Sequence, residues 1–170
     1  MKLYGHDTSP YVRRIRVLLA ELGLPFERDA NSWSSPDAEV LRLNPLLRVP
    51  ALTDGELLLL DSKLIATYLY DRYPSSPPAP AGDQLPLQPT LWHQEHRYDD
   101  ENMLLVLDGA TDSTINVFLL EMDGLKPAEV PYLKRQLQRV QSSMAWLDEK
   151  LAGKVSLHDG VVSFFDLSLV

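Results

Sequence analysis

Up to Tyr73 the chain alternates short apolar runs with segments in which apolar residues recur every three or four positions. The short runs, Lys2 to Tyr4, Phe26 to Asp29, Val49 to Thr53 and Glu56 to Leu60, predict strands. The periodic segments predict helices over Pro10 to Leu22, Pro36 to Leu43 and Ser62 to Tyr73, the last stopped by Pro74. Asp54-Gly55 lies between the last two strands, and Asp-Gly accepts the positive φ of a two-residue hairpin turn, so these strands are expected to pair antiparallel. Strands and helices in alternation make the first unit α/β.

The densest run of prolines, "YPSSPPAPAGDQLPLQP", follows. Proline at this density fits neither a helix interior nor a central strand, so a linker is expected over 76–87, between a first domain at 1–75 and a second at 88–170. No strand pattern is visible after it. Val130, Leu133, Leu137, Val140, Met144, Leu147 and Leu151 alternate steps of three and four, which lays one apolar stripe along a helix ending near Gly153. Further helices are expected around Leu91 to Leu107 and Ile115 to Met122 to cover it, making the second domain all-α. Ser163 and Asp166 have the spacing of a capping box that opens another helix. The sequence then stops at Leu169-Val170, apolar and uncapped. The helical domain is therefore expected to be incomplete at its C-terminus, or those residues to be covered by another surface.

Charge and composition narrow the chemistry. Sixteen Lys and Arg against twenty-four Asp and Glu give a formal charge of -8, which disfavours nucleic acid and anionic membrane surfaces as partners. There is no cysteine, so any sulfur chemistry must come from a ligand; this suits a reducing, cytoplasmic setting. No signal-peptide pattern opens the chain, and unbroken hydrophobic blocks such as Leu57 to Leu60 are too short to span a bilayer. His93 and His96 stand three apart and His158 is remote, with no companions of metal-ligand spacing, so no metal is expected.

One junction carries more chemistry than the rest. Ser9 is a good N-cap and Pro10 suits the first helical position, so the pair marks a helix start. A helix N-terminus also directs unpaired N–H groups and partial positive charge at whatever precedes it, and a thiolate is an anion that such a tip would favour. Val49-Pro50 places a proline at a strand's first residue. Asp61-Ser62 is an N-cap signal.

Ser-Pro-Tyr-Val at residues 9–12 resembles the Cys-Pro-Tyr-Cys motif of glutaredoxins with both cysteines replaced. With "SPYVRRIRVLLAELGLPFE", "NPLLRVPALTDG", "LLLLDSKLIATYLYDRYP", the proline linker and the late Ser-x-x-Asp box, the chain resembles the glutathione S-transferase family over nearly its whole length. The resemblance implies a thioredoxin-like N-terminal domain that holds glutathione and a helical domain that shapes the second-substrate pocket. It makes Ser9 the activating hydroxyl, hydrogen-bonded to the glutathione sulfur, with Pro10 and Tyr11 beside it. It makes Val49 a main-chain contact ahead of a cis Pro50, sets Ser62 on the γ-glutamyl carboxylate and Asp61 on the ammonium side, and lets Arg48 reach the glycyl carboxylate. The implied partners are glutathione, a small electrophile and a second copy of the chain.

Three departures matter. Many members have glycine at Leu47, and a leucine is expected to resist positive φ, so a differently shaped loop is expected. The Ser-Ser-Cys of the zeta class is absent, which disfavours maleylacetoacetate isomerisation. The second pocket is weakly marked: Tyr11, Trp33 and Tyr98 are its candidate walls, and Asp99 or Asp100 a candidate acid for the glutathione ammonium across a dimer. The rival function is a non-catalytic interaction or regulatory module of the stringent starvation protein type.

Overall fold

The computed structural model describes residues 1–31, 38–73, 91, 94–158 and 162–169. The expected linker, Trp33, His93 and the first two residues of the expected second helix lie outside them. The chain forms two compact units, Met1–Leu91 with His158–Val170, and Trp92–Leu157. The tail from His158, assigned from sequence to the helical domain, thus belongs to the first unit.

In the first unit β1 (Lys2–Tyr4), α1 (Pro10–Glu21), β2 (Glu27–Asp29), α2 (Glu39–Leu43), β3 (Ala51–Asp54), β4 (Leu57–Leu60) and α3 (Ser62–Arg72) follow in order. The sheet order is β2-β1-β3-β4, with β1 and β2 parallel and the other pairs antiparallel. The antiparallel hairpin forms, but its turn lies one residue later than expected: Asp54 ends β3 opposite Leu57, and the two turn residues are Gly55, at φ 59, and Glu56. This mixed sheet with helices on it is a thioredoxin-like domain, followed by a helical region.

Alternation along the strands sorts the core. Leu3, Leu52 and Leu59 stand in one cross-strand row and are buried on the face that α1 and α3 cover. Those helices supply Val12, Ile15, Leu18 and Leu19, and Ile65, Ala66 and Leu69. Tyr4 and Ala51 belong to the opposite face, where they pack with Ala38, Val40, Leu58 and Leu60. A last short helix, α6 (Phe164–Ser168), opens on the expected capping box, in which Ser163 Oγ accepts from the Asp166 amide and the Asp166 carboxylate accepts from the Ser163 amide. Its Phe164 and Phe165 are fully buried, and α6 contacts α1.

In the second unit the two helices expected at 91–107 and 115–122 are one, α4 (Arg97–Met122), preceded by a 3₁₀ turn at Gln94–His96. The intervening "DGATDST" reads as a break, but Ser113 and Thr114 return their hydroxyls to the Gly109 and Ala110 carbonyls and stay helical. α4 packs on α5 (Pro131–Leu151). The predicted α5 stripe is covered only in part: Leu133 and Leu147 are buried, whereas Leu137 is 39% and Met144 48% exposed. By length and mean hydropathy α4 is long and apolar enough to cross a membrane, contrary to the estimate from Leu57–Leu60. Its buried residues, Met103, Leu104, Leu107, Ala110 and Val117 among them, have the spacing of a core helix in a pair.

Gly5, just past β1, is fixed by close approach. Its φ is 137, and a Cβ there would strike Val12 Cγ2 and come within 2.9 Å of Val49 Cβ. Gly5→Ala is expected to lower stability by at least about 2 kcal/mol, read by urea unfolding; an unchanged midpoint would contradict this packing.

Candidate functional site

Strand register decides where the singled-out residues meet. Tyr4 pairs with Ala51 and Ala51 with Leu60, so the exit from β1, the entry to β3 and the exit from β4 lie at one end of the sheet. With strands about 4.8 Å apart, the outer two of these points are separated by roughly 10 Å. Ser9, Val49-Pro50 and Asp61-Ser62 each follow or precede one of them. Cross-packing adds a second tie, since Gly5 approaches both Val12 of α1 and Val49.

Ser9 caps α1. Its Oγ accepts from the Val12 amide at 3.3 Å, which uses an oxygen lone pair and not the hydroxyl proton. The residue is 7% exposed. Pro10 at the first helical position is exposed and Tyr11 half-buried. The loop ahead is tied down by buried Asn44, whose amide donates to the Arg48 carbonyl at 2.7 Å and whose Oδ1 accepts from the Leu46 amide at 2.9 Å. This loop corrects an expectation: Leu47 takes φ 52, the left-handed conformation a glycine would use, because the Asn44 bonds close the turn around it. Arg48 is exposed, Val49 half-buried and Pro50 buried, and the Val49–Pro50 peptide is cis.

Asp61 joins β4 to α3 in a single residue. It has φ 84 and ψ 135, and its Oδ1 accepts from the Lys63 and Leu64 amides at 2.7 and 3.3 Å. A left-handed non-glycine residue costs about 1–3 kcal/mol and persists where its surroundings over-determine it. Ser62 beside it is 1% exposed, and its Oγ accepts from Arg14 Nη2 at 2.6 Å.

Arg14 is the residue that sequence reasoning missed. It is 4% exposed and lies over the rings of Tyr11 and Phe164, 4.8 and 5.1 Å from their centroids. One of three arginines in "RRIR", it sits four positions before Leu18 at the margin of the apolar stripe, and that position is the only signal of its burial. Nearer the surface, Asp7 bridges Arg16 at 2.8 Å and Arg28 at 2.6 Å, and Arg28 also donates to the Gly5 carbonyl. The Arg28 hydrogen bond holds the Asp7 carboxyl below its usual range. The His6 ring bonds the Thr8 hydroxyl, while the His6 carbonyl accepts from the Ser9 amide at 3.3 Å.

Of the second-substrate candidates Tyr11 lies in α1 of the first unit, Trp33 lies outside the described residues, and Tyr98, Asp99 and Asp100 fall in the other unit. Tyr98 is 79% exposed, Asp99 is exposed and Asp100 is fully buried. Among the described residues no group of His, Asp and Glu could hold a metal ion.

Residues 3–78 match the family model described as the glutathione S-transferase N-terminal domain. The chain carries the N-terminal domain of the glutathione S-transferase family. This region is 34% identical over 80 residues to a stringent starvation protein A homolog of Haemophilus ducreyi and 40% identical over 79 residues to a glutathione S-transferase of Triticum aestivum. These matches take 47% and 46% of this chain and 37% and 36% of those proteins, so the likeness spans little more than a third of the curated relatives. Among solved structures, a glutathione S-transferase from Methylobacterium radiotolerans, in complex with glutathione sulfonate, superposes with a TM-score of 0.80 at 23% identity, over 98% of this chain and 74% of that one. The transferase fold thus extends across both units.

Two outcomes test the site's local physics. Leu47→Gly is expected to raise stability by roughly 1 kcal/mol by relieving the left-handed backbone; a loss in thermal unfolding would contradict that geometry. Because the folded Asp7 pKa lies below its unfolded value, its contribution is present above the ordinary carboxylate range and lost as pH falls through the folded value. The stability gap between wild type and Asp7→Asn should therefore narrow on acidification; a constant gap from pH 7 to the acid limit would contradict the ion pairs.

Proposed function

We propose that the chain is a glutathione transferase that binds glutathione at the sheet end formed by Ser9, Val49-Pro50 and Asp61-Ser62, and stabilises its thiolate through the Ser9 hydroxyl. The thiolate would add to a small electrophile or reduce a peroxide or disulfide. What carries the reading is the register Tyr4–Ala51–Leu60, which gathers all three segments at one edge, with the Ser9 proton not used in its capping bond. The N-terminus of α1, of twelve residues, adds its partial positive charge. Asp61 uses Oδ1 for capping and is exposed, so its carboxylate suits the γ-glutamyl ammonium. Val49 offers its main chain, and Arg48, exposed, suits the glycyl carboxylate. Pro10 and Tyr11 flank the sulfur. Ser62 is buried under Arg14, and it acts at the carboxylate from beneath. The relatives crystallised with glutathione or glutathione sulfonate support this ligand class. A cytoplasmic homodimer belongs to the same reading.

A second reading, a binding or regulatory module without turnover, is favoured by the similarity to stringent starvation protein A homologs. Calorimetry with glutathione and the thiolate absorbance of the bound tripeptide separate the two. The transferase reading expects binding, a bound thiol titrating at least one unit below the ordinary value near about 8.5, and return of most of that shift in Ser9→Ala. Turnover with a chloronitrobenzene, a hydroperoxide or hydroxyethyl disulfide should fall in parallel. Binding with an unshifted thiol would favour the module; no binding would overturn both glutathione roles.

A further inference from the structure

We propose that Arg14 is a positioning residue for the Asp61 carboxylate, acting through the Ser62 hydroxyl. Asp61 is the single residue between β4 and α3, so any change of direction between the two falls on it alone. On one side Leu60 is fixed by its pairing with Ala51. On the other, the Ser62 side chain is fixed by a 2.6 Å hydrogen bond from a buried guanidinium. With both neighbours held, the backbone of Asp61 is driven to φ 84, and its side chain is turned to cap Lys63 and Leu64.

Arg14 suits this task. A planar guanidinium has donors in a rigid fork and can lie against aromatic rings, so little freedom remains once it is packed. Tyr11 of α1 and Phe164 of α6 supply two such rings, and Phe164 follows directly on the capped Ser163. The chain of contacts therefore runs from α6 through Arg14 to the first turn of α3. Loss of the Arg14 bond would let Ser62 shift and Asp61 relax toward ordinary backbone angles, withdrawing its carboxylate.

The ligand-free protein tests this first. Native-state hydrogen exchange at the Lys63 and Leu64 amides is compared in wild type, Arg14→Met and Arg14→Lys, with the Ile15 and Leu18 amides of α1 as internal control. The expectation is a protection loss of about tenfold or more at Lys63 and Leu64 in Arg14→Met, a smaller loss in Arg14→Lys, and α1 protection little changed. Equal losses in α1, or none at Lys63 and Leu64, overturn the proposal. Should Arg14→Met fail to fold, Arg14→Lys alone carries the comparison.

The second arm rests on the glutathione reading. Wild type and the variants are titrated with glutathione and with the same tripeptide lacking the γ-glutamyl amino group. Arg14→Met should weaken glutathione by about tenfold more than it weakens the deaminated tripeptide, which keeps the carboxylate that Ser62 meets but lacks the ammonium that Asp61 meets, and the Asp61→Asn, Arg14→Met double variant should lose no more glutathione affinity than the worse single one. Equal weakening of both ligands overturns positioning alone. Failure of wild type to bind overturns the glutathione reading and leaves the exchange result to decide the role of Arg14.

Discussion

The register of three strands is the constraint on which the rest depends. Once Tyr4, Ala51 and Leu60 lie side by side, three turns that are remote in sequence must open at the same edge. Nothing in the individual turns requires this. A one-residue slip would exchange the Leu3–Leu52–Leu59 row with the Tyr4–Ala51–Leu60 row, putting each on the wrong face. Burial of both rows by α1, α2 and α3 therefore protects the site by the same contacts that stabilise the fold.

Around that edge, local strain is concentrated and held. Gly5, Leu47 and Asp61 all have positive φ, and each is enclosed by specific bonds or packing: Val12 and Val49 about Gly5, Asn44 about Leu47, and the Arg14–Ser62 bond beside Asp61. By contrast the far end of the sheet, at Met1, Lys2, Glu27, Thr53 and Gly55, frames only an open depression. Strain that the surroundings maintain at one edge is what a preorganised ligand site requires.

Much of this was legible from sequence because it rests on period and turn chemistry. Alternation, the Asp54-Gly55 turn, the Ser9-Pro10 and Asp61-Ser62 caps and the Ser163–Asp166 box are local signals, and the elements they mark formed within a few residues of expectation. What escaped were features set by tertiary context. Arginine is ordinarily exposed, so the burial of Arg14 rather than Arg13 or Arg16 is decided by Ser62 and Phe164, both remote in sequence, together with Tyr11 one turn before it. Leu47 adopted a conformation its side chain disfavours because Asn44 closes the loop. Gly109 and its polar neighbours have the composition of a helix break, but α4 runs through them, packed on α5, with the Ser113 and Thr114 hydroxyls turned back onto the helix's own carbonyls. The attachment of α6 to the first unit depends on contacts with α1 that no local pattern reveals.

The central claim is that one end of the sheet, and not the other, receives a tripeptide thiol. Backbone amide shifts recorded during titration with glutathione test it directly. The account predicts saturable changes at Gly5 to Tyr11, Arg48 and Val49, and Asp61 to Lys63, with Lys2, Glu27 and Thr53 unmoved. Changes centred on Lys2, Glu27 and Thr53, or none at any residue, would contradict it.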